Sequence, residues 1–108
     1  MKTNLTLLAL IFSASLFAQH SLKLASDVWP PFTNKDGQKT IALDLVEAAF
    51  FRMNEPMEVH ITSFAQVIEG IEKGNYEGCG AMWKTPERES KMLFSEPYLQ
   101  NRLVLVEL

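Results

Sequence analysis

One cysteine, Cys79, and two histidines, His20 and His60, are all that the 108-residue chain holds of the residues most used for disulfides, metal binding and nucleophilic catalysis. A single cysteine excludes an intrachain disulfide, and so few thiols and imidazoles exclude zinc sites of the Cys/His type. Cys79 lies in the apolar stretch Gly78-Cys79-Gly80-Ala81-Met82, where it reads as a small buried hydrophobe rather than a reactive thiol. Basic residues are neither abundant nor clustered: ten Lys and Arg stand against thirteen Asp and Glu, which excludes a nucleic-acid partner. Internal repeats, low-complexity tracts and charge blocks are absent from the sequence.

Long apolar runs are scarce too. The one at the N-terminus, Leu5 to Phe17, follows Lys2, is interrupted by Ser13 and Ser15, and ends at the small residue Ala18. It falls short of the roughly 20 residues that a membrane span needs. Residues 1–18 are therefore expected to be a cleaved signal peptide, leaving 19–108 as the folded, exported segment. No cysteine stands at the cleavage point to carry a lipid anchor, so the mature product is expected to be soluble in the periplasm. Without Lys2 its charge is about minus four, from nine basic and thirteen acidic residues.

In the remaining chain, Leu22 to Ser26 alternates briefly as a strand does and runs into Asp27-Val28-Trp29-Pro30-Pro31-Phe32, whose prolines forbid both strand pairing and helix. Asn34-Lys35-Asp36-Gly37 signals a turn. From Ile41 to Met53, polar Asp44, Glu47 and Arg52 leave an apolar face of Ile41, Leu45, Ala48, Ala49 and Met53, which predicts a helix lying on a sheet. Past Pro56, Met57, Val59 and Ile61 alternate with Glu58, His60 and Thr62, the pattern of a strand with one covered face; His60 reads as a surface residue. Ser63 with Gln66 forms a capping box, and Phe64, Val67, Ile68 and Ile71 fall at helical spacing up to a stop at Gly74. Tyr76 to Met82 offers a third strand, and Thr85-Pro86-Glu87-Arg88 starts a short helix. Leu103-Val104-Leu105-Val106 reads as a buried strand. Phe32, Phe64 and Phe94 are expected in the core.

This order predicts an α/β fold with a mainly parallel sheet flanked by helices. Ligands of such sheets bind beyond the carboxyl ends of the strands. That rule selects Asp27 to Phe32 and Met82 to Arg88.

Trp29-Pro30-Pro31-Phe32 after a strand, then Asp44-Leu45, Gly74-x-Tyr76-Glu77, Thr85-Pro86-Glu87-Arg88 and Phe94-Ser95-Glu96-Pro97-Tyr98 follow one another in a familiar register. In that order and spacing the chain resembles the family 3 extracellular solute-binding proteins, the periplasmic components of polar amino-acid ABC transporters. The resemblance spans essentially the whole mature segment. It implies the type II periplasmic-binding-protein fold, of which the chain would form an incomplete first lobe, with the second lobe and return segment absent. It also implies a small solute ligand, an amino acid or related carboxylate, and an inner-membrane ABC permease as partner. The chain departs from the family pattern at Thr40, where glycine is usual. It departs again at Trp83, where a Ser or Thr commonly helps to hold a ligand amino group.

With this resemblance, Arg88 becomes the leading ligand-binding candidate, because its planar guanidinium grips a carboxylate through two parallel hydrogen bonds. The alternative is a surface arginine paired with Glu87 or Glu89. Trp29 is either an aromatic wall or platform for a ligand or a core residue. Trp83 either closes an apolar pocket or covers the sheet. Asp27 and Thr85 are secondary candidates that also suit local backbone capping. We assign no catalytic residue, metal or cofactor: the candidate segments offer carboxylates but no histidine and no thiol beside a base. The same fold also serves as the extracellular input of signalling receptors, so a sensing role stands as the alternative to transport.

Overall fold

The structure is a computed structural model that describes residues 20–107, so the leader expected at 1–18 lies outside the described residues. Six elements follow in order: β1 (Leu22–Ser26), α1 (Ile41–Arg52), β2 (Met57–Ile61), α2 (Phe64–Glu72), β3 (Gly78–Cys79) and α3 (Pro86–Glu89). The strands form one parallel sheet in the order β2-β1-β3. Leu22 stands opposite Met57 and Ser26 opposite Ile61, while Leu24 and Ala25 pair with Gly78 and Cys79. Among the described residues no helix is long and apolar enough to cross a membrane.

The central strand is the most covered, and Leu24, Ala25 and Ser26 are buried at its carboxyl end. In β2 the exposed residues are Glu58 and His60, which alternate with the half-buried Met57, Val59 and Ile61. His60 lies at the surface beside Glu58, with 3.4 Å between Nε2 and Oε1. Helix α2 starts as its sequence dictates: Gln66 N donates to Ser63 Oγ at 3.3 Å and its side-chain oxygen accepts from Ser63 N. It buries Val67 completely and Gly70 against Tyr76, and Gly74 ends it in the left-handed region at φ 78°.

Four expectations need correction. Helix α1 buries Ala42 and Leu43, while Ile41, Leu45, Ala48, Ala49 and Met53 are exposed. The cause is the entry to the helix. Ile41 N and Ala42 N donate to the carbonyls of Pro31 and Phe32 at 2.9 Å, which fixes the rotation of the first turn against the Trp29 loop. Strand β3 has only two residues of the Tyr76–Met82 stretch, its pairing ending where the chain turns away at Gly80. Finally, Leu103 to Val106 is neither a strand nor buried: all four are at least 74% exposed, and they pair with no strand among the described residues. Phe32, Phe64 and Phe94 are half-buried rather than core.

Candidate functional site

Because all three strands run parallel, their carboxyl ends meet at one edge of the sheet, and the segments that leave them converge there. Beyond β1 come Asp27 and Trp29; beyond β2, Phe64 opens α2; beyond β3, the chain runs through Ala81, Met82 and Trp83 to Arg88 in α3. These segments line an open cavity of about 290 Å³. Its aromatic lining is Trp29, Phe64 and Trp83, its charged lining Asp27 and Arg88, and Ala81, Met82 and Leu103 complete it.

Each of these side chains is held by local structure. Trp29 sits in a tight loop in which its N–H donates to the carbonyl of Thr33 at 3.0 Å, with Thr33 wholly buried beneath. Its ring leans on Phe32, centroids 4.8 Å apart, and meets Trp83 almost perpendicularly, at 87° and 5.5 Å. Trp83 Nε1 donates to Asn101 Oδ1 at 2.7 Å, which fixes the second indole from the far side. Thr85 caps α3: its Oγ1 accepts from Arg88 N at 3.3 Å, and its carbonyl accepts from Glu89 N at 2.9 Å. The cap orients the backbone that carries Arg88.

The Arg88 guanidinium lies over the Phe64 ring, 4.8 Å from its centroid, and Nη1 donates to the carbonyl of Trp83 at 2.8 Å. Among the described residues it forms no ion pair with a carboxylate; Glu89 is paired with Lys84 instead, at 2.9 Å. An arginine has five N–H donors, so the contact with Trp83 leaves the opposite edge of the fork for a carboxylate.

The sheet thus brings together four of the five residues singled out from sequence: Asp27, Trp29, Trp83 and Arg88. Thr85 is placed behind them, at the start of α3. Phe64 is the lining residue that sequence reasoning assigned to the core. Its signal was its position, directly after the Ser63 cap, where the parallel sheet puts the start of α2 at the same edge as Asp27 and Arg88. Cys79 stays outside this cavity. Burial pushes its thiol above the usual value, and Sγ donates to the Ala81 carbonyl at 3.1 Å.

A family model described as bacterial extracellular solute-binding proteins, family 3, matches residues 22–107. Neither the curated proteins nor the solved structures supply a match.

Proposed function

Since the chain belongs to the bacterial extracellular solute-binding proteins of family 3, we propose that it binds a small carboxylate, an amino acid or a related solute, in the cavity between Trp29 and Arg88. The observation that carries this reading is the arginine itself. Arg88 is oriented by the Thr85 cap, steadied on Phe64 and tethered to the Trp83 carbonyl, yet it meets no carboxylate of the described chain. A cation so fixed at the edge of an apolar cavity suits a carboxylate from solution.

In this reading Asp27 faces a positive group of the ligand, the two indoles form apolar walls, and Thr85 positions Arg88. Binding rather than catalysis fits the lining, whose only titratable side chains are Asp27 and Arg88. Delivery to an ABC permease and export through cleavage after Ala18 complete the proposal. Mass-spectrometric analysis of the periplasmic product is expected to find an N-terminus at Gln19, and a product retaining Met1 in the membrane fraction refutes the cleavage.

The test of the site is Arg88→Lys, which keeps the charge but loses the two-pronged grip. Losing one charge-assisted hydrogen bond costs on the order of 1.5 to 3 kcal/mol, or roughly one to two decades in affinity. Calorimetric titration with the best-bound carboxylate of a solute panel measures it. Equal affinity in the two proteins returns Arg88 to the role of a surface residue.

A further inference from the structure

We infer that the solute is a carboxylate whose positive group is N-methylated, a quaternary ammonium in its simplest form, rather than one carrying a primary ammonium. The inference rests on the solute-binding reading of the same cavity and specifies its ligand. Asp27 and Arg88 give the lining one charge of each sign, which suits a zwitterion. Among the described residues, the side chains of the lining favour one kind of positive end. A primary ammonium has three N–H donors, each of which needs an acceptor once water is displaced. Among the lining side chains only the Asp27 carboxylate is a strong acceptor, since Trp29, Phe64, Ala81, Trp83 and Leu103 accept nothing and the Met82 thioether accepts weakly.

A methylated ammonium reverses that deficit. It has few or no N–H groups to satisfy, and its charge, spread over methyl groups, is stabilised by aromatic faces. Trp29 and Trp83 stand at 87° with centroids 5.5 Å apart, and the inner corner of two perpendicular plates is bounded by a face of each. The Asn101 bond to the Trp83 indole and the Thr33 loop under Trp29 hold that corner in shape before any ligand arrives. Asp27 then supplies charge without demanding a directional bond, and Arg88 takes the carboxylate.

The full chain contains two tryptophans, so its ¹⁵N–¹H spectrum reports both walls through two indole signals. Three probes separate the contributions: N,N,N-trimethylglycine, glycine, and 3,3-dimethylbutanoate, which keeps the carboxylate and the shape but not the positive charge. Trimethylglycine is expected to shift both indole signals, with a Kd at least about tenfold below those of the other two. Trp83→Leu is expected to abolish that preference while weak carboxylate binding persists, with circular dichroism reporting the fold. Should that variant unfold, Asp27→Asn supplies an independent measurement: weaker binding of trimethylglycine with 3,3-dimethylbutanoate unaffected. Glycine binding as tightly as trimethylglycine, or 3,3-dimethylbutanoate doing so, overturns the inference and leaves the carboxylate reading standing. A spectrum in which no carboxylate moves either indole overturns both.

Discussion

The Cys79 thiol, at the end of β3, is raised above its usual value of 9.0 chiefly by burial, with a smaller push from the charge of Asp27. The sign of the effect on stability follows. Above the usual value the unfolded chain has lost this proton while the folded chain keeps it, so the folded state binds more protons and stability falls as pH rises. Tyr98, whose hydroxyl donates to the Gly80 carbonyl at 2.5 Å, is raised above 10.0 by burial and adds a second fall at higher pH. Urea unfolding at a series of pH values is expected to show stability falling as pH rises above the thiol's usual range, by at most about 1.4 kcal/mol per pH unit for Cys79 and by less for the half-exposed Tyr98. Cys79→Ala is expected to remove the earlier part of that fall; parallel curves for the two proteins contradict the assignment. The flanking glycines and alanine pointed to a buried thiol, and the structure leaves Cys79 half-buried. The convergence of Trp83 on Trp29 was not legible in the sequence, because it depends on how the chain after β3 folds back across the sheet edge, which no spacing of residues specifies.

At the scale of elements, caps and stops were readable because they are local. Ser63 and Gln66 satisfy each other across one turn, and Thr85-Pro86 opens α3 by the same grammar. The rotation of α1 was less so. Nearly every residue from Ile41 to Phe51 other than Asp44 and Glu47 is apolar, so several faces satisfy the helical period, and the bonds from Pro31 and Phe32 choose among them. Helix α2 carries a sharper constraint. A Cβ on Gly70 would overlap the Tyr76 ring, whose other neighbour is His60 at 5.6 Å between centroids. Gly70→Ala gains about 0.5 to 1 kcal/mol of helix propensity but forces the ring aside, at a cost of about 1 to 3 kcal/mol. The expected net effect is a loss of about 1 kcal/mol. In a Tyr76→Ala background the same substitution is expected to stabilise, and a double-mutant cycle by urea unfolding separates the two effects. A Gly70→Ala loss that persists without the ring contradicts the packing.

For the molecule as a whole, the exposed run Leu103 to Val106 governs behaviour in solution. A continuous run of Leu and Val predicts a buried strand from sequence, and the structure leaves the same residues at the surface, with β3 paired on one side only among the described strands. An exposed alternation of Leu with strand-favouring Val, together with the open edge of β3 among the described strands, supplies the elements of strand addition between chains. The full chain is therefore expected to self-associate with rising concentration, as measured by sedimentation velocity. Two substitutions separate the physical causes. Leu105→Lys adds a charge to the run and opposes both apolar contact and strand pairing. Leu105→Pro keeps the residue apolar but removes the N–H that a ladder requires. If strand addition drives association, both variants shift the population towards monomer, by about tenfold or more in the association constant for a loss near 1.4 kcal/mol. If apolar contact alone drives it, Leu105→Pro associates as the parent does. Because Leu105 is fully exposed and lies outside the cavity lined by Leu103, neither substitution is expected to change the urea midpoint or the indole signals of Trp29 and Trp83. A parent chain that stays monomeric at millimolar concentration contradicts the assignment of this run as an open pairing edge.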